Sequence, residues 1–247
     1  MYLKLSRDET RNIEKNTIST ATMIVIASHV NYALARDTLL QELKDIIFDM
    51  REVVVVIAGE STLEIATHED GYTQIKVPIN FWELTPVYGV YAFMDDPRVK
   101  RDYYIMIHDT STVQPMFQMK CREFIEKMRV GALDVLYASK DCKCNIAGLS
   151  RAFIQEFGPK YNRNGTKNDA YSAEGLGEYS FKYYADTKAN MKVGVESENG
   201  KWCAQLMRRY PNSDIYRCPL YYSSLDMYKV VGICEDINPP ADLRTYP

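Results

Sequence analysis

Tyr103-Tyr104-Ile105-Met106-Ile107-His108-Asp109-Thr110-Ser111-Thr112 is a run of strand-forming residues that ends in short polar ones. Tyrosine and β-branched isoleucine suit a pleated, buried surface, and a continuous apolar run of this length predicts an interior strand of a parallel sheet. Asp109 falls where that strand stops. In open α/β sheets ligands bind outside the carboxyl ends of the strands, so a carboxylate at this place is a candidate site residue. An Asx turn or helix cap is the plainer role open to the same Asp.

Two further runs complete the pattern upstream. Thr22–Ser28 and Glu52–Gly59 both predict buried strands, and Leu34, Leu39, Leu40, Leu43, Ile46 and Ile47 between them predict the inward face of a helix. Strand, helix, strand at this spacing is a βαβ unit with a right-handed crossover, which sets the ends of both strands side by side. Downstream, two short strands are expected about a turn at Asp70-Gly71, then a helix over 81–94 with Pro86 in its first turn. A helix over 117–128 should turn Phe117, Cys121, Phe124, Ile125 and Met128 inward, and a strand follows over 133–138. Asn145–Leu149 reads as a small-residue loop leading into a helix near 150–157, which Gly158-Pro159 ends. Strands are expected around 214–222 and 228–233 in an irregular final part.

Composition removes several classes of function. The 247 residues can bury a core without disulfide staples, and 46% hydrophobic residues with 26% charged are those of a globular chain. A formal net charge of -3 argues against nucleic acid as a partner held by bulk electrostatics. Six cysteines in this length predict reduced thiols, and Cys142-Lys143-Cys144 is too closely spaced for a zinc knuckle. No stretch approaches the ~20 apolar residues of a membrane span, and residues 1–22 lack a signal peptide's apolar core, so a cytoplasmic protein is expected. Tyrosine is the one excess, 19 residues against 8 Phe and 2 Trp; its flat face and polar tip suit stacking on sugars, and half-buried packing equally.

The order of parts from Thr22 to Tyr184 resembles that of a nucleotide-sugar glycosyltransferase of the GT-A fold, and most of all the soluble viral and bacterial members. That resemblance implies an α/β fold with a Rossmann-type, mostly parallel central sheet flanked by helices. It implies a polar lead-in at 1–22, a nucleotide-sugar-binding half at 23–144, an acceptor-side half of the same domain at 145–237 and an extended tail at 238–247. The family's central strand ends in an Asp-x-Asp motif that holds a divalent metal; here the place reads His108-Asp109-Thr110-Ser111, with a single Asp. By resemblance, Asp109 and His108 are the metal candidates for Mn²⁺ or Mg²⁺, a hard cation that offsets the charge of the leaving diphosphate; with one Asp, either Asp109 alone holds the metal with waters and phosphate oxygens, or a hydroxyl or imidazole takes the second part, or the enzyme is metal-independent. Ser28, His29 and Asn31 after the first strand, and Glu60 after the second, take the places of nucleotide contacts, while Asn145 and Gly148 face the donor sugar. Glu174 takes the place of the base that deprotonates the acceptor hydroxyl, with Glu178 in reserve. The implied reaction is hexosyl or pentosyl transfer from a nucleotide-sugar, UDP- or GDP-linked, to a glycan or glycoprotein. Two alternatives stand beside it: a non-catalytic carbohydrate-binding or assembly protein of transferase-like fold, and a sugar-phosphate nucleotidyltransferase. The glycine-rich phosphate loop of the latter is absent after the first strand, and no G-x-G-x-x-G follows either early strand.

Overall fold

The computed structural model describes residues 22–139, 146–165, 181, 191–196, 201–202, 208–209 and 216–231. The expected α/β architecture is present. Thr22–His29 (β1), Val53–Ala58 (β2), Thr73–Val77 (β4) and Tyr103–His108 (β5) lie side by side and parallel, in the order β4-β2-β1-β5. Glu64–Thr67 (β3) pairs antiparallel with β4 at one edge, across the turn expected at Asp70-Gly71. On the other side Ala147–Ser150 (β8) runs antiparallel to β5 and to Val135–Tyr137 (β7), and Val193–Val195 (β9) closes the sheet parallel to β7. Among the described residues the sheet has eight strands, of which β3 and β8 alone run against the rest.

Both faces are covered, which is why β1 and β2 are apolar without alternation. Met23, Val25, Val54, Val56, Tyr104 and Met106 meet one helical layer, Thr85–Ala92 (α2) and Arg151–Phe157 (α4). Ile24, Ile26, Val53, Val55, Ile105 and Ile107 meet the other, Ala33–Asp45 (α1) and Phe117–Gly131 (α3). All five residues expected on the inner face of α3 are buried. Among the described residues a second, five-stranded sheet packs on this α1/α3 side. Its order is Lys201–Trp202 (β10), Tyr216–Tyr222 (β12), Met227–Val231 (β13) and Ser111–Val113 (β6), and Arg208–Arg209 (β11) also pairs with β12. The run quoted at the outset is therefore two strands: the chain leaves the first sheet at Asp109-Thr110 and enters the second at Ser111.

Three expectations need correction. Leu34 and Ile47 are 81% and 86% exposed rather than inward. Leu34 lies five residues before Leu39, which at 3.6 residues per turn places it about 140° off the buried face; Ile47 lies beyond the helix, in a left-handed turn with φ 59°. The helix expected over 81–94 begins at Thr85, because Trp82–Leu84 forms a 3₁₀ turn with Trp82 at φ 50°. Finally, 147–150 is a strand and not a loop. A Cβ on Gly148 would lie 2.3 Å from Met128 Sδ and 2.9 Å from Phe124 Cε1, so the small residues there admit helix α3 against the sheet.

Candidate functional site

Parallel register aligns the carboxyl ends of the central strands. Ala27 pairs with Val56 on one side and His108 on the other, His29 pairs with Ala58, and the Asp109 backbone N–H donates to the Ala27 carbonyl at 3.0 Å. Ser28-His29, Gly59-Glu60 and His108-Asp109 thus form one row across three strands, about 10 Å from first to last at ordinary strand spacing. Gly59 turns the chain with φ +79°, and a Cβ there would meet His29 Nε2 at 2.7 Å. His29 caps the short 3₁₀ turn Val30–Tyr32 by accepting the Asn31 N–H at its Nδ1, 3.2 Å. Asn31 is exposed at the rim and Glu60 half-buried, its backbone N–H donating to the Val77 carbonyl at 3.1 Å.

Asp109 lies deeper and is only 6% exposed. Burial pushes its carboxyl from 3.8 up to about 6, against the opposing pull of the Ser28 hydroxyl, the Thr110 backbone amide and the charges of Lys229 and Arg36. Burial, and then Lys229, hold the His108 imidazole well below its ordinary value, so it is neutral at physiological pH. Lys229 is 4% exposed and was not singled out from the sequence; it arrives from the second sheet, where β13 sets it opposite Ser111 of β6.

These groups are incompletely satisfied. Ser28 Oγ, His108 Nε2, Asp109 Oδ2, Ser111 Oγ and Ser139 Oγ are buried and make no hydrogen bond of regular geometry. Buried polar atoms are almost always paired, and each orphan costs about 1–3 kcal/mol. Five of the six such atoms among the described residues lie at the one sheet edge where α/β proteins bind ligands, and the sixth, Arg101 Nε, lies at the amino end of β5. The serine hydroxyls and the Lys229 ammonium can donate, and Asp109 Oδ2 can accept. A molecule carrying both anionic oxygens and hydroxyls fits that set, as a phosphorylated sugar or nucleoside does.

The site brings together Ser28, His108 and Asp109 of the expected residues, with His29, Asn31 and Glu60 along the rim. Gly148 lies in β8 opposite Ile105, its α-carbon turned toward Phe124 and Met128 of α3. Asn145, Glu174 and Glu178 lie outside the described residues, as do Cys142 and Cys144.

Among the described residues the row offers the expected divalent ion a single deeply buried carboxylate. Mg²⁺ and Mn²⁺ take oxygen ligands, anionic ones foremost. Among the described residues no group of three His, Cys, Asp or Glu converges. Asp109, the one carboxylate deeply buried among the described residues, already has the Lys229 ammonium acting on it.

At the opposite end of the strands is a cavity of about 860 Å³, lined by Ile24, Phe48, Cys121 and Ile125 with Glu52 and Arg122 at its polar side. Burial pushes the Cys121 thiol well above its usual value, so this cysteine is an inert core residue.

Among the described residues no helix is long and apolar enough to cross a membrane. No family model and no curated protein matches the chain. Among solved structures it is similar to one described as a glycosyltransferase involved in the glycosylation of the major capsid of PBCV-1. The likeness has 11% identity and a TM-score of 0.40, and covers 71% of this chain and 82% of that one. At that distance it carries no functional argument.

Proposed function

We propose that this protein is a glycosyltransferase that moves a sugar from a nucleoside-diphosphate donor to a hydroxyl of a glycan or glycoprotein. The observation that carries the reading is the cluster of orphaned buried polar atoms around Asp109, where the two sheets meet at the carboxyl edge. In this reading the nucleoside lies along the row from Glu60 through His29 to Ser28. Asp109 Oδ2 accepts a hydroxyl of the ribose, and the diphosphate lies toward Ser28, Ser111 and Lys229. Neutral His108 adds a polar ring nitrogen without adding charge.

In the transfer step the acceptor oxygen bonds to the anomeric carbon as the bond from that carbon to the diphosphate oxygen breaks. The electron pair of the broken bond leaves with the nucleoside diphosphate, and the acceptor's proton passes to a base. Glu174, with Glu178 in reserve, is the proposed base. Fixed donors aimed at the departing diphosphate stabilise the charge that develops there, which is the largest contribution such a site makes.

Incubation with a panel of UDP- and GDP-sugars, with release of free nucleoside diphosphate as the readout, tests the proposal. Turnover of one donor by the wild type and its loss in Asp109→Asn is the expected result. A folded protein that turns over no donor, with or without a glycan acceptor, would overturn it.

A further inference from the structure

Lys229 is a buried cation at the carboxyl edge that the expected chemistry does not use. Lysine is almost never fully buried unless paired, and β13 is otherwise an apolar inner strand, with Met227 0% and Lys229 4% exposed. Burying an ammonium costs several kcal/mol before any partner is counted. A lysine at this register serves no packing need that leucine or methionine would not meet more cheaply.

Its place in the fold is specific. Ser111 follows Asp109 by two residues, and β6 pairs with β13 so that Ser111 and Lys229 stand opposite each other. The turn after β12 secures the arrangement: the Asp226 carboxylate accepts the Met116 N–H at 2.9 Å, and the Gln114 N–H donates to the Asp226 carbonyl at 3.1 Å. Ser224 Oγ donates to the Ala138 carbonyl at 2.6 Å, tying the same turn to the end of β7 beside Ser139. The Asp226 contacts thereby hold the β12–β13 turn against the segment after β6, and the Ser224 bond fastens the second sheet to the carboxyl edge of the first. The ammonium acts on both His108 and Asp109.

The groups around it divide by chemistry. Ser28, Ser111 and Ser139 offer buried hydroxyls that make no hydrogen bond of regular geometry, and Asp109 offers one such oxygen. Three donors and a fixed cation make an anion site, and the carboxylate beside them takes a hydroxyl. A phosphate held there needs positive charge, and the described residues supply it as an ammonium where no set of metal ligands converges.

We propose that Lys229 is the cation that binds the donor's diphosphate, with the Ser28 and Ser111 hydroxyls, so that this protein binds its nucleotide without a divalent metal. This rests on the diphosphate-donor reading above. Lys229 binds the diphosphate as a point charge, and the same contact strengthens when the leaving oxygen gains charge.

The test is calorimetric titration of the full chain with UDP and with GDP, in EDTA and in Mn²⁺, on wild type and Lys229→Met, with uridine and guanosine as probes lacking phosphate. Methionine keeps the stem's volume, and thermal melting of each protein reports whether it is folded. The expected result is that one diphosphate binds wild type equally well in EDTA and in Mn²⁺. Lys229→Met should weaken that diphosphate by about 30-fold or more while leaving the matching nucleoside within about twofold. Binding by wild type that EDTA abolishes would overturn the inference and leave the donor reading standing, whatever the variant does. Undiminished diphosphate binding by folded Lys229→Met would overturn it equally. No binding of either diphosphate by folded wild type would overturn both readings.

Discussion

Each end of the central strands carries an acid whose carboxyl burial raises, half-buried Glu52 at one and buried Asp109 at the other, and the two ends are built in opposite ways. At the amino end Glu52 lines an apolar cavity, and burial raises its carboxyl, but Arg101, Arg122 and Arg51 all act on it in the opposite direction. At the carboxyl end burial likewise raises Asp109, yet the hydroxyls and imidazole around it keep unused hydrogen-bonding atoms. The first end is a core margin whose charge is met by nearby arginines. The second gathers buried hydroxyls, an imidazole nitrogen and a carboxylate oxygen that no protein group meets with regular geometry, an arrangement that suits a polar ligand.

The largest effect expected from this contrast is at Asp109. Asp109→Asn keeps the shape and removes the charge that accepts the donor's hydroxyl. Nucleotide affinity should fall by about 30-fold or more, roughly 2 kcal/mol. The same change should stabilise the empty protein. With its folded-state carboxyl raised to about 6, the group's contribution is fully present below the ordinary value of 3.8 and is lost as pH rises through about 6. Above that pH, Asn removes a penalty of up to about 3 kcal/mol. Thermal melting of both proteins at pH 8 measures it, and a variant less stable than wild type would erase the distinction between the two ends.

Gly148 sharpens the comparison from the side of packing. Gly148→Ala forces a Cβ against Met128 and Phe124, which should cost about 1–3 kcal/mol in stability while the folded fraction binds nucleotide normally. Denaturant unfolding and titration, read together, separate this from a role against the donor sugar, in which affinity would fall first.

A smaller effect concerns pH. If ionised Asp109 receives the hydroxyl, nucleotide affinity should be flat above pH 7 and decline as pH falls through about 6. A decline centred near 4 would mean that a different carboxylate carries the contact. Smallest of all, Glu52→Gln should leave nucleotide affinity within about twofold of wild type, since it touches only the apolar end; a larger loss would show the two ends to be coupled.

Much of this was written locally in the chain. β1, β2 and β5 are uninterrupted apolar runs whose β-branched residues have no other stable use, and α3 carries its five inward residues at helical spacing. Asp109 could be found because the end of a run is itself a local signal. Ala147-Gly148-Leu149-Ser150 could not be read as a strand. Its residues are small because α3 presses on them, a fact of tertiary packing that a local pattern does not carry. Lys229 was missed for a related reason. One lysine among Met227, Tyr228, Val230 and Val231 looks like an outward residue of an exposed strand, and only the pairing of β13 with β6 brings it to Asp109. A cation at the register of an inward residue was the one available clue.

The most direct measurement is calorimetric titration of UDP and GDP into wild type, Asp109→Asn and Glu52→Gln under identical conditions. One nucleotide binding to wild type and Glu52→Gln alike, and lost in a folded Asp109→Asn, is the result predicted for a donor site at the carboxyl edge. Binding that survives Asp109→Asn unchanged, or fails in all three folded proteins, would contradict it.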